Sequence, residues 1–252
     1  MPSPRAKLFF SLICKLEKST IRPEQATLLK SEGFHMKNII LSTIILMMTL
    51  SPACTGHLGS LHRASTGHDM RTNPYPGSTL PDATLEAFHN GEITTISLSQ
   101  YAGKWLILFF YPSDFTFVCP TELKEMSDYY PRFQKAGAEV ISISTDSVYV
   151  HRAWARHHND IKAIKYPMAS DRPGTLSKEL GVYDASKGIS VRASFIVDPD
   201  GNIVACEMTG ESIGRSASEL LRKLEAAIAV RQGDGGFCPA NWHTGDEMIH
   251  PE

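Results

Sequence analysis

Among the five cysteines of the chain, Cys119 sits where a thiol would be chemically activated. The run Lys104-Trp105-Leu106-Ile107-Leu108-Phe109-Phe110-Tyr111 is almost continuously apolar, as expected of a strand buried on both faces. Beyond Cys119, Leu123, Met126, Tyr130 and Phe133 recur at steps of three, four and three, which marks one face of a helix. Pro120 suits the opening turn of that helix, where its missing N–H costs nothing. Cys119 is therefore expected at the start of a helix that follows a central strand. Unpaired N–H groups and the positive end of the helix dipole stabilise an anion there. The thiolate is the nucleophilic form of cysteine, and helix N-termini lower thiol pKa values. The competing reading is a buried strand-end cysteine with a packing role alone.

The elements that would position Cys119 alternate along the chain. Gly137 should close the first helix, with Pro131 kinking it near Tyr130. Ala138–Ser144 reads as a second strand, followed by a helix from about Ser147 to His158 with Val150 and Trp154 four apart. A short helix carries Leu176 and Leu180 and stops at Gly181. Ser194–Val197 and Asn202–Cys206 flank Asp198-Pro199-Asp200-Gly201, a strong turn signal, and so predict a hairpin. Ser216-x-x-Glu219 is a capping box, and the last long helix runs through Leu220, Leu221, Leu224, Ala227 and Ile228. This order predicts an α/β fold of thioredoxin-like type, a mixed central sheet covered by helices on both faces.

Composition narrows the function classes. With 252 residues, 42% hydrophobic and 21% charged, the chain matches ordinary globular usage. Lys and Arg total 25 against 27 Asp and Glu, without the basic excess of a nucleic-acid binder. Five cysteines are too few for a disulfide scaffold. The N-terminal region reads differently from the rest. Ile39–Leu50 is an uncharged apolar stretch of 12 residues, shorter than the roughly 20 that a spanning helix needs. With Lys37 before it and Ser51-Pro52-Ala53 after it, residues 36–54 read as a secretory signal. Cys54 resembles a lipoprotein acceptor, although Leu50 lies one position too far upstream. Residues 1–35 are then an extension upstream of the start at Met36, 55–73 a linker rich in Gly, Ser, Thr and His, 74–232 the folded domain and 233–252 a tail.

Context turns the Cys119 reading into a family resemblance. Phe109-Phe110-Tyr111-Pro112-Ser113-Asp114-Phe115-Thr116-Phe117-Val118-Cys119-Pro120-Thr121-Glu122 contains Pro-x-x-x-Thr-x-x-Cys and resembles the peroxiredoxin signature. It is most similar to the alkyl hydroperoxide reductase C branch of the typical two-cysteine peroxiredoxins. The likeness continues through Ala138–Asp146, His151-Arg152-Ala153-Trp154, Arg192–Pro199 and Cys238-Pro239-Ala240-Asn241-Trp242, spanning about Pro76 to Trp242. It implies a cofactor-free and metal-free peroxidase acting on hydrogen peroxide and organic hydroperoxides. Cys119 would be the peroxidatic nucleophile, with Thr116 hydrogen-bonding the peroxide and the thiolate. Arg192 would hold the thiolate charge and polarise the O–O bond, and Pro112 would shield the thiolate from water. Glu122 and Arg215 would orient Arg192.

Attack would leave Cys119 as a sulfenic acid, which a second thiol must resolve. Cys238 is the candidate, 119 positions downstream and preceded by Gly233-Asp234-Gly235-Gly236, which would let its segment move. Spacing alone leaves intrachain and intersubunit pairing open, whereas the resemblance implies a head-to-tail homodimer with intersubunit disulfides and a pentamer of dimers as the larger assembly. Thioredoxin or a flavoprotein disulfide reductase would supply electrons. The chain departs from the family in lacking a Tyr-Phe terminal helix and a Gly-Gly-Leu-Gly loop within Asp171–Tyr183, which points to a bacterial type resistant to overoxidation. The branch is usually cytoplasmic, whereas residues 36–54 suggest export to the periplasm or a lipid anchor. Two other functions compete. A thiol–disulfide oxidoreductase would need Cys-x-x-Cys, and this chain has Cys119-Pro120-Thr121-Glu122. A ring-forming holdase chaperone is the alternative outside enzymology. Zinc binding is weaker still, because His157, His158 and His243 lack partners at ligand spacing.

Overall fold

The structure, a computed structural model, describes residues 75–233 and 235–251. The expected upstream extension, export signal and linker fall outside the described residues. In chain order the strands are β1 (Thr84–His89), β2 (Glu92–Ser97), β3 (Trp105–Phe110), β4 (Ala138–Ser144), β5 (Met168–Ser170), β6 (Tyr183–Asp184), β7 (Ile189–Ser190), β8 (Arg192–Val197) and β9 (Ile203–Thr209). The helices are α1 (Cys119–Lys135), α2 (Val148–His157), α3 (Asn159–Lys162), α4 (Thr175–Glu179) and α5 (Ala217–Gln232). Seven strands form one sheet in the order β2-β1-β5-β4-β3-β8-β9, and β6 and β7 pair separately. β3–β4 and β4–β5 are parallel, while the remaining ladders are antiparallel.

The all-apolar sequence of β3 explains its central place. Its six side chains are all buried and alternate between two cores. Trp105, Ile107 and Phe109 meet Leu123, Met126 and Phe133 of α1 and Leu220, Leu221 and Leu224 of α5. Leu106, Leu108 and Phe110 face the opposite core with Ile141, Ile143, Leu176 and Phe195. Burial of each large side chain contributes on the order of 1.5–3 kcal/mol, so a sheet covered on one face only would forfeit half of this drive.

The predicted elements are present, with several additions. β4 spans the expected residues, and α2 starts one residue after Ser147 and ends one before His158. Gly137, at φ 82°, follows the C-terminus of α1 and donates to the Gln134 carbonyl. Ser216 caps α5 by accepting from the Glu219 amide, whereas the Glu219 carboxylate turns to Arg222 instead of closing the other half of the box. The kink expected at Pro131 does not interrupt α1, which runs from Cys119 to Lys135. Pro131 lies on the exposed side, while Leu123, Met126, Tyr130 and Phe133 hold the other side against the sheet. The β1–β2 hairpin, β5 and the β6–β7 pair were not foreseen.

Candidate active site

Cys119 is the first residue of α1, and its side chain is fully buried. The end of β3 brings the chain into a loop, residues 111–118, that must turn sharply to present it. Phe115 takes a left-handed conformation at φ 54°, an uncommon state for a bulky residue. A buried network fixes the turn. The Tyr111 hydroxyl donates to Asp114 Oδ1 at 2.8 Å, and His151 Nδ1 lies 2.7 Å from Asp114 Oδ2. His151 Nε2 meets the Ala169 carbonyl at 3.3 Å, so the ring is held at both nitrogens. Burial first, and the Asp114 charge second, push the Tyr111 pKa well up, which keeps its hydroxyl a donor. The Asp114 amide and Ser113 Oγ both donate to Asp146 Oδ2, at 2.7 and 2.8 Å. Thr116 Oγ1 donates to the Ser113 carbonyl at 2.9 Å, which aims its lone pairs away from that carbonyl.

Four of the residues singled out from sequence meet in one buried cluster. Arg192 Nη1 lies 3.3 Å from Cys119 Sγ and donates to Glu122 Oε2 at 2.6 Å. Its Nε donates to the Glu211 carbonyl at 2.8 Å, so the guanidinium is held at both ends. Glu122, one turn into α1, also accepts from the Arg215 amide at 2.8 Å, from Nε at 2.9 Å and from Nη2 at 3.1 Å. Arg215 Nη1 donates to Ser194 Oγ at 3.0 Å, and the guanidinium stacks on the Phe109 ring at 3.6 Å from the centroid. Burial pushes the Arg215 pKa down, while its bonds to Glu122 work in the opposite sense. Two guanidiniums face one carboxylate in this cluster, so an anionic sulfur at Cys119 balances its charge.

Pro112 is buried and lines, with Arg192, Ile189, Val191 and Thr209, a cavity of about 190 Å³. Glu211, which supplies the Arg192 carbonyl contact, also forms an ion pair with Lys187. Asp114, His151, Asp146 and Glu211 were not foreseen as contributors. Asp114 and His151 lie inside the signature segments quoted above, but only the fold brings them into contact.

Cys238 does not join this cluster. It is half-buried, its thiol 3.6 Å from the Ala226 carbonyl, in a groove shared with Trp105, Asp198 and Val230. The tail that carries it is packed instead of loose. Trp242 is buried, its carbonyl accepts from Arg222 at 2.9 Å, and Phe237 pairs with Ile249. Cys119 and Arg192 sit beyond the Phe110 end of β3, where Phe110 pairs with Ala193, whereas Trp105 and Asp198 mark the other end. Five residue steps of strand separate those ends by roughly 17 Å. Along α5, nine steps or about 13.5 Å separate Ala217, two residues after Arg215, from Ala226.

A profile of the AhpC/TSA family matches residues 76–206, more than half of the chain. Over 166 residues the chain is 45% identical to alkyl hydroperoxide reductase C of Salmonella typhimurium, covering 66% of this chain and 89% of the relative. Identity to the Staphylococcus haemolyticus protein of the same name is 42% over 160 residues, 64% of this chain and 85% of the relative. Among solved structures, Enterococcus faecalis AhpC superposes with a TM-score of 0.64 at 46% identity, covering 66% of this chain and 99% of that one. The reduced 2-Cys peroxiredoxin of Plasmodium vivax gives 0.67 at 33%, covering 71% and 94%. This chain belongs to the AhpC/TSA family, in its peroxiredoxin form on a thioredoxin-like fold.

Proposed function

We propose that this protein reduces hydroperoxides with Cys119 as the attacking thiolate and Cys238 of a second copy as the resolving thiol. The observation that carries the reading is the 3.3 Å approach of Arg192 to the Cys119 sulfur inside a buried cluster whose charge one sulfur anion balances. The thiolate attacks the nearer peroxide oxygen, the O–O bond breaks, and the electron pair leaves on the second oxygen as an alkoxide or hydroxide that takes up a proton. Cys119 is left as sulfenic acid. Arg192 meets both the sulfur and the growing charge on the leaving oxygen, and fixed donors of this kind are worth about 2.7–4 kcal/mol each. Thr116 orients the peroxide through its oxygen, because its proton is committed to Ser113. Buried Pro112 keeps water from the sulfur.

Condensation of the sulfenic acid with Cys238 releases water and forms a disulfide, and a dithiol donor then supplies two electrons to restore both thiols. Disulfides require Cα atoms about 4.4–6.8 Å apart. The roughly 17 Å between the two ends of β3 therefore favours pairing between subunits of a homodimer. Donors of thioredoxin or flavoprotein disulfide reductase type, and a pentamer of such dimers, fit this cycle. The rival thiol–disulfide oxidoreductase chemistry is disfavoured because the i+3 position holds Glu122, committed to two arginines.

Mixed single variants provide the test. Cys119→Ser and Cys238→Ser chains are combined, treated with one equivalent of hydrogen peroxide and analysed by non-reducing mass spectrometry. A covalent dimer carrying one chain of each variant is expected, with a sulfenic acid trappable by dimedone in Cys238→Ser alone. Oxidation of Cys119→Ser at wild-type rate, or a disulfide found only within single wild-type chains, would overturn the proposal.

A further inference from the structure

We propose that a second site, remote from Cys119, binds a phosphate-bearing small molecule of the nucleotide class. A cavity of about 480 Å³ opens between α2, the segment from α3 to β5, and the β1–β2 turn. Arg152 and Arg156 project into it from α2, and Lys162 and Lys165 from the facing segment. Among the described residues no Asp or Glu lines it. Among the described residues none of the four cations lies within salt-bridge distance of a carboxylate, and Arg152 stacks over Tyr149 at 5.4 Å. The floor is apolar and includes Phe88 and Ile164.

Other cavities of the molecule show that this is not a generic basic surface. The groove around Cys238 holds Asp198 beside Arg222, Lys223 and Arg231, and the one beside α5 and Trp242 sets Glu225 against Arg132 and Lys135. The cavity at Arg192 likewise contains Asp184 and Glu211. In a chain with a formal charge of −2, four cations without a carboxylate concentrate positive potential in one concave site. A single carboxylate ligand would leave three of those charges unmatched, whereas a diphosphate matches most of them. Arginine side chains suit phosphate in particular, because their fork donates two parallel hydrogen bonds. Phe88 and Ile164 give the cavity an apolar wall against which a base or similar ring can pack, and the volume lies within the usual range for small-molecule sites. None of Cys119, Glu122, Arg192 and Arg215 lines the cavity, so binding here would not compete with peroxide.

Isothermal titration of the full reduced protein with adenosine diphosphate, inorganic pyrophosphate and dodecanoate tests the assignment. One molecule of adenosine diphosphate per chain is expected, with affinity falling as salt rises. The double variant Arg156→Ala/Lys165→Ala should weaken it by about tenfold or more, with an unchanged circular dichroism spectrum. Phe88→Ala should weaken the nucleotide and leave pyrophosphate unaffected. Absence of saturable binding at millimolar nucleotide, or an undiminished affinity in the double variant, would overturn the proposal. Dodecanoate binding more tightly than the nucleotide would do the same, since the apolar floor would then dominate.

Discussion

Glu122 offers the sharpest single test of the active-site reading, because one carboxylate accepts four hydrogen bonds from two arginines while fully buried. Glu122→Gln keeps the shape and removes the charge. One carboxylate oxygen becomes an NH₂ group, which must point donors at donors. Placed at Oε2, it loses the bonds from Arg192 and from Arg215 Nη2; placed at Oε1, it loses those from the Arg215 amide and Nε. Two charge-assisted bonds at about 1.5–3 kcal/mol each give a loss of roughly 3–6 kcal/mol. That agrees with the 3–5 kcal/mol typical of a buried pair deprived of one partner. Against a total stability of about 5–15 kcal/mol, the variant folds but only marginally. With a urea slope near 2 kcal/mol/M, the unfolding midpoint should drop by about 2 M. Arg192 keeps its bond to the Glu211 carbonyl but loses the anchor that sets its angle towards Cys119. Stopped-flow oxidation by hydrogen peroxide should therefore slow by about 10²-fold, at protein concentrations and temperatures where the variant is fully folded. A midpoint within about 0.5 M of wild type, together with an unchanged oxidation rate, would refute the idea that this carboxylate organises the site.

Three further outcomes follow from other contacts. Thr116→Val removes the hydroxyl fixed on the Ser113 carbonyl and should slow peroxide oxidation by about 10²-fold, while Thr116→Ser should retain most of the rate; a fast valine variant would remove Thr116 from the reaction. Pro131→Ala restores a helical N–H on the exposed side of α1 and should raise the urea midpoint, with a gain of about 1 kcal/mol after the flexibility it adds to the unfolded chain is discounted; a lower midpoint would mean the proline is required by α1. In acid, the Glu219 carboxyl is held below its ordinary value by the hydrogen bond from Arg222, so its contribution is present above the unfolded value near 4.3 and is lost as pH falls through the lower folded value. Its side chain is 41% exposed, so Glu219→Gln should cost no more than about 0.5 kcal/mol at neutral pH and nothing near pH 2, read from urea unfolding at several pH values.

The sequence made Cys119 legible because three signals coincide there: an apolar strand, a helix face that begins at Leu123 and a long signature. The central ladder was legible for a related reason. β3, β4, β8 and β9 are long and apolar enough for periodicity to register, whereas β5 has three residues and β6 and β7 two each, too few for any alternation to show. The β1–β2 hairpin was lost differently, since its outward positions Glu86, Thr94 and Thr95 dilute the apolar ones. What single residues could not reveal was company. Asp114 and His151 are separated by 37 positions and make sense only once β3 and α2 are adjacent, and Glu211 acts through its carbonyl, which no side-chain pattern encodes. The tail illustrates the same limit. Gly233-Asp234-Gly235-Gly236 reads as a flexible link, yet Trp242 beyond it buries its ring and receives Arg222. In the proposed cycle Cys238 would have to leave the Ala226 carbonyl and the groove with Trp105 to reach a Cys119 sulfenic acid, so resolution would include a local opening of the tail. Loosening the Trp242 contact with Arg222→Ala should therefore speed disulfide formation without changing the rate of sulfenic acid formation, two phases that rapid-mixing fluorescence separates. Equal acceleration of both phases, or of neither, would show that the tail packing is not what holds the resolving thiol back.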